Sequence, residues 1–182
     1  MAYPARGRDP LLDTATQAFL ERRAREILGA AMILIALILA ITLLSYSAKD
    51  QGLLATGGVV GNWMGRFGAV LADPLVKIVG YGAWAVPVLL LGWGLRFVTH
   101  HGTDRLFQCG IYAPFILVLA PIYAATLPPP LDWVHNFSMG GKFGDTVLIL
   151  LLQIFPGSAA LGANVFALVI GLILLALTVF VL

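Results

Sequence analysis

The sequence predicts an all-α membrane protein with four transmembrane helices, built as two tandem parallel repeats that each carry a short interfacial helix. Three observations predict it. The chain is 60% hydrophobic and only 11% charged, with a mean hydropathy of +0.94, well outside the soluble range. Charge-free stretches long enough to cross a bilayer recur along it. A four-residue block also occurs twice: Gly65-Arg66-Phe67-Gly68 returns 76 positions later as Gly141-Lys142-Phe143-Gly144. In the same register Leu75 meets Leu151, Ile78 meets Ile154, Ala83 meets Ala159 and Lys77 meets Gln153. Such a fixed period marks a duplicated unit.

Counting between charges places the spans. The first runs from Ile27 to Ala48, 22 uncharged residues between Glu26 and Lys49. The second, 18 residues from Ile78 to Leu95, lies between Lys77 and Arg96. The third, 22 residues from Leu106 to Leu127, is closed by Pro128-Pro129-Pro130. After Asp145 no charge appears for 37 residues, too many for one helix and too few for two helices with a turn. Pro156-Gly157 divides this run into a ten-residue piece, Thr146 to Phe155, and a fourth span from Ala159 to Leu182.

The ten-residue piece has a counterpart in the first copy, Gly68 to Ala72, closed by Asp73-Pro74. Neither piece can cross a membrane, so each is expected to lie in the interface or to pack on protein. Gly65, Gly68 and Ala72 fall at i, i+3 and i+7 and offer the first short helix one small face. Along the last span Ala159, Ala163, Ala167 and Gly171 recur every four residues, a spacing that lets helix backbones approach.

Residues 1–26 form a separate cytoplasmic segment, with 27–182 as the transmembrane domain. Asp9 caps a predicted helix with Pro10 at its first position; Leu11, Leu12, Ala15 and Phe19 share its apolar face on the inner surface. The 26 residues before the first span, and the length of that span, argue against a cleaved signal peptide. Seven Lys/Arg fall in the N-terminal segment and the loop between spans two and three, against four in the other two loops, which favours both termini in the cytoplasm.

Charge and motifs exclude several functions. The net charge of +2 includes no dense basic block for gripping nucleic acid. There is no Walker lysine, HExxH or GxSxG, and no carboxylate lies inside a predicted span, which argues against a pump or channel. Lys77 and Gln153 read as snorkelling interfacial anchors. His100-His101 and His135 fall on opposite sides and cannot share a metal. Asp132-Trp133, Trp63, Trp84 and Trp93 read as interfacial belt residues, and the single cysteine, Cys109, as a buried small residue. No residue is assigned as catalytic, cofactor-binding or metal-ligating; the candidate residues are the packing positions above, with Arg66, Asp73 and Lys142.

This arrangement resembles the N-terminal four-helix membrane domain of FtsK-type DNA translocases. The matching residues are Leu43-Leu44-Ser45-Tyr46-Ser47, then Asn62-Trp63-Met64-Gly65-Arg66-Phe67-Gly68-Ala69-Val70-Leu71-Ala72-Asp73, Gly80-Tyr81-Gly82-Ala83-Trp84-Ala85-Val86-Pro87 and Trp93-Gly94-Leu95-Arg96. The resemblance covers nearly all of residues 27–182; the third and fourth spans match mainly in layout. It implies an inner-membrane anchor at the division septum, surrounded by lipid, sibling subunits and divisome membrane proteins. A linker would lead to a cytoplasmic hexameric ATPase that uses ATP and Mg to pump double-stranded DNA. The sequence stops at Leu182 without linker or motor motifs, so these activities would belong to a longer parent. Two other classes fit the spans alone: a small accessory subunit of a respiratory or photosynthetic complex, and half of a transporter.

Overall fold

The computed structural model describes residues 13–50, 60–100, 106–131, 133–154 and 158–182, with backbone alone for 106–109. Among them lie α1 (Thr14–Leu44), α2 (Gly65–Val79), a 3-10 turn (Gly80–Trp84), α3 (Ala85–Thr99), α4 (Leu106–Ala125), α5 (Gly141–Ile154) and α6 (Ala159–Val181). No strand occurs among the described residues. α1, the stretch Gly65–Thr99 and α6 are long and apolar enough to cross a membrane, and α4 contributes a shorter apolar helix. The fold is a four-helix membrane domain.

Helix ends at Leu44, Thr99 and Ala125 shift by about a turn or less from the expected spans, and three larger boundary differences each have a local reason. An inner-surface helix that turns before the first span is expected, but α1 runs unbroken from Thr14. At 1.5 Å per residue its 31 residues extend about 46 Å. No Gly or Pro interrupts residues 14–27, and Arg22 and Arg23 both pair with Glu26 at 3.3 and 2.6 Å, holding the helical register. The expected cap at Asp9-Pro10, with Leu11 and Leu12, lies outside the described residues.

The second correction concerns the start of span two. Asp73-Pro74 does not end the short helix; α2 passes through Pro74 to Val79. Lys77 Nζ reaches back across that turn to Asp73 at 2.8 Å. The break comes at Gly80, whose φ of 56° and ψ of −137° suit a residue without Cβ. α3 then takes up the span, with Pro87 in its first turn where a missing N–H costs little. The third correction is that α5 begins at Gly141 rather than Thr146, because the repeated block itself forms the first turn. Pro156-Gly157, the expected cut after α5, lies outside the described residues.

Packing follows the repeat. α1 lies antiparallel to α3, where Gly29 and Gly94 meet so closely that a Cβ on either would reach the other's carbonyl at 2.7–2.8 Å. α4 lies antiparallel to α6, and Gly171 rests on the Tyr123 ring. Each unit is thus a spanning helix, a helix of 14 or 15 residues and a second span, which in the first unit is the 3-10 turn continued by α3. The units join at the end opposite Thr14 and Thr99, here termed the junction end. There α2 meets α5, and both the 3-10 turn and α5 pack on α4 around buried Pro121. Large apolar residues such as Leu34, Leu37, Phe115, Leu168 and Leu172 face outward from the spans, as a lipid solvent allows.

Gly141 combines a φ of 67° with close approach to the Ile78 carbonyl and the Gly80 nitrogen. Gly141→Val should destabilise the detergent-solubilised protein by about 2–4 kcal/mol through strain and overpacking. Gly110→Val, with open space at its Cβ, should cost no more than ~1 kcal/mol. Equal unfolding midpoints for the two variants would contradict this account.

Candidate functional site

The junction end is built from the repeated block and the residues before it. In the first unit the Asn62 side-chain oxygen accepts the Met64 N–H at 3.0 Å, and the Asn62 carbonyl accepts the Gly65 N–H at 2.8 Å. In the second unit the Ser138 hydroxyl accepts the Gly140 N–H at 3.1 Å, and the Ser138 carbonyl accepts the Gly141 N–H at 3.1 Å. Asn62 and Ser138 are also 76 positions apart, so two different side chains make the same turn. The glycine after each turn is left-handed, with φ of 63° at Gly65 and 67° at Gly141.

Beyond the turns, the two copies remain alike in exposure. Arg66 and Lys142 are exposed, Phe67 and Phe143 face outward, and Gly68 and Gly144 are buried. Their neighbours differ. Gly68 abuts the Asn62 side chain and Met64, whereas Gly144 abuts the Pro121 carbonyl and Ala125 of α4. The expected small face of Gly65, Gly68 and Ala72 is therefore not one helix contact. Gly65 has open space at its Cβ, Gly68 meets its own entry loop, and Ala72 is fully buried. Asp73 holds Lys77, while exposed Gln153 has no equivalent carboxylate in the repeat register.

Asn62 also ties its loop to α1, donating from Nδ2 to the Thr42 carbonyl at 2.9 Å. Next to it the Trp63 N–H donates to Ser45 Oγ at 3.1 Å, and the Gly61 N–H donates to buried Asp50 at 2.8 Å. Sequence reasoning missed Asn62, Ser138, Asp50 and Pro121 as determinants. The 76-residue register was the available signal for the first two: both are short hydrogen-bond acceptors three residues before a turn glycine.

An aromatic cluster closes the junction. His135 stacks on Phe137 and Tyr46 with centroids at 4.7 and 5.8 Å, and Trp133 tilts against Tyr81 at 5.4 Å. Trp133 Nε1 donates to the Phe137 carbonyl at 2.6 Å. Trp133, expected in an interfacial belt, thus lies half-buried in a packed cluster; Trp84 and Trp93 are half-buried and Trp63 is exposed. Burial pushes the Tyr46 phenol up to about 12, with the negative charges of Asp73 and Asp50 adding to the effect.

At the opposite end His100, left-handed with φ 57°, donates from Nδ1 to the Phe97 carbonyl, and its Nε2 lies 3.1 Å from both Arg22 and Glu26. This links α3 to α1 far from His135. Among the described residues no group of three potential ligands is placed to hold a metal. On α6, Ala159 is exposed, Ala163 and Ala167 are half-buried, and Gly171 is the stripe member against Tyr123. The side chain of Cys109, Asp132 and His101 lie outside the described residues.

Fold and junction together define a duplicated helical membrane domain. Residues 21–181 match the family described as the 4TM region of DNA translocase FtsK/SpoIIIE, and the chain belongs to that family. It is 33% identical over 133 residues to a DNA translocase FtsK of Mesorhizobium japonicum, covering 72% of this chain and 15% of that protein. It is 29% identical over 152 residues to one of Azospirillum brasilense, covering 82% and 24% respectively. With one of Caulobacter vibrioides it shares 26% identity over 144 residues, covering 76% and 18%. The chain thus spans about a quarter or less of the length of these relatives. No solved structure matches it.

Two outcomes test this junction. Asn62→Ala should cost about 1–2 kcal/mol in unfolding, whereas Asn62→Ser should recover only part of this, because serine can accept the Met64 N–H as Ser138 does for Gly140 but cannot reach the Thr42 carbonyl. A spectrophotometric titration should show one phenol ionising near 12, absent in Tyr46→Phe. Since the unfolded phenol ionises near 10, stability should fall as pH rises from about 10 towards 12. A Tyr46→Phe chain with the same high-pH decline would assign it elsewhere.

Proposed function

We propose that this domain anchors a septal DNA translocase in the inner membrane and tethers a cytoplasmic hexameric ATPase motor that pumps double-stranded DNA during division. The carrying observation is the family match over residues 21–181, with relatives that are DNA translocases. ATP, Mg and DNA are handled by the motor of the longer parent, and residues 27–182 serve as its membrane-embedded unit. Both termini are cytoplasmic in this reading, because Arg22, Arg23, Arg25 and Arg96 gather at the Thr14/Thr99 end. Siblings held together by the motor need only weak lateral contacts in the bilayer. Divisome membrane proteins are the remaining partners.

The packing residues serve the anchor by fixing its shape: Gly65, Gly68, Ala72, Gly141 and Gly144 at the junction, and Ala159, Ala163, Ala167 and Gly171 on α6. Arg66 and Lys142 face the headgroup region, and Asp73 secures Lys77. Because Gly171 rests on Tyr123, Ala163→Phe and Ala167→Phe should lower the stability of the single chain. A folded monomer that loses only its intermolecular crosslinks would place the stripe between siblings instead.

A fluorescent fusion of the chain in dividing cells tests the anchor reading. It should collect at the septum, with Thr16→Cys or Leu182→Cys, each introduced alongside Cys109→Ser, reacting only from the cytoplasmic side. Uniform envelope fluorescence would remove the septal role, and labelling from outside would reverse the orientation. Gly68→Leu, expected to displace Asn62 at about 1–3 kcal/mol, should impair septation of the parent while leaving insertion intact.

A further inference from the structure

Two adjoining cavities at the junction end share one wall. The first, of about 150 Å³, is lined by four aromatic side chains, Tyr46, Tyr81, Trp84 and Trp133, over an apolar floor that includes Leu43 and Val76. The second, of about 340 Å³, opens sideways between α3, α4 and α6 and is lined by Val88, Leu89, Ile116, Ala124, Leu174 and Thr178. Tyr81 and Trp84 line both. A small aromatic chamber therefore lies directly beside an almost wholly apolar groove, with Tyr81 and Trp84 between them.

The chamber favours a cation. Ring faces carry negative potential and attract an organic cation within about 6 Å, most strongly when the cation is partly desolvated. Asp50 and Asp73 add negative charge near Tyr46. The Lys77 ammonium already faces Asp73 at 2.8 Å, and His135 stacks on the Tyr46 ring without lining the chamber. An ammonium with free N–H groups would seek hydrogen-bond acceptors, whereas a quaternary ammonium needs only ring faces. The groove next door suits an alkyl chain, because its walls are almost wholly apolar.

We propose that the two cavities form one site for a bilayer lipid with a quaternary ammonium headgroup, the head in the aromatic chamber and one acyl chain in the α3–α4–α6 groove. Tyr81 and Trp84 form the wall that the lipid spans. This site does not depend on the translocase reading, and a lipid bound here would brace the two repeat units at their junction.

The full chain with Trp63→Phe and Trp93→Phe leaves Trp84 and Trp133 as reporters. Reconstituted in phosphatidylglycerol vesicles, it would be titrated with bromine-labelled phosphatidylcholine or bromine-labelled phosphatidylglycerol. Quenching by the choline lipid should reach half-saturation at about tenfold lower mole fraction. Tetramethylammonium chloride should erode that preference, separating recognition of the headgroup from recognition of the chain. Tyr46→Phe should keep the preference and Tyr46→Leu should lose it, with Trp133→Leu as an independent second variant. Equal quenching by the two lipids, or a preference unchanged in both leucine variants, would overturn the assignment.

Discussion

The approach of Gly80 and Gly141 is the contact on which the arrangement of the two units depends. A Cβ at Gly80 would strike the Met139 carbonyl, and one at Gly141 would meet the Ile78 carbonyl and the Gly80 nitrogen. In a bilayer, burying apolar side chains gives helices little reason to associate, so close backbone packing and hydrogen bonds decide their positions. Gly80 ends α2 and leaves the following Tyr81 N–H without a helical partner. That donor finds the Met139 carbonyl at 2.7 Å, in the loop that leads into α5. The break in one unit is satisfied by the entry to the other.

Around this contact, each element is set by a neighbour at the same end. The Asn62 and Ser138 turns fix where α2 and α5 begin, which brings Gly80 and Gly141 into register. Pro121 supplies the common surface: Gly82, Gly140 and Gly144 all approach it so closely that a side chain at any of them would collide. Its ring also removes one backbone donor from α4 where three small residues crowd the helix. The opposite end is held differently. There the Glu26–His100 pair and the close Gly29–Gly94 crossing bind α1 to α3.

This division of labour suits an anchor. Hydrogen-bonding side chains and one aromatic cluster gather in the junction loops, where water or headgroups can satisfy them, and the helices between present apolar side chains to lipid. An anchor requires a span that fits the bilayer and two repeat units that do not slide against each other.

The membrane class, the four spans, the duplication and the two short helices were all legible in the chain. They rest on local quantities, namely apolar length, charge spacing and a repeated block, which the bilayer reads directly. Half of the junction was legible as well, because Gly65-Arg66-Phe67-Gly68 and its copy occupy matching places. Other features needed three dimensions. That α2 crosses Pro74 and breaks at Gly80 depends on backbone angles set by the second unit. That α1 continues to Thr14 depends on pairs with Glu26 and on its lock to His100. The likeness of Asn62 and Ser138 lies in a hydrogen bond rather than in residue identity. Tyr46, Tyr81 and Trp133 come together only because the turns at Gly65, Gly80 and Gly141 place three distant loops at one end. The sequence by itself determined how much of the chain enters the membrane and that it does so twice. The tertiary structure decided how the two copies meet, because that rests on backbone contacts between residues some sixty positions apart.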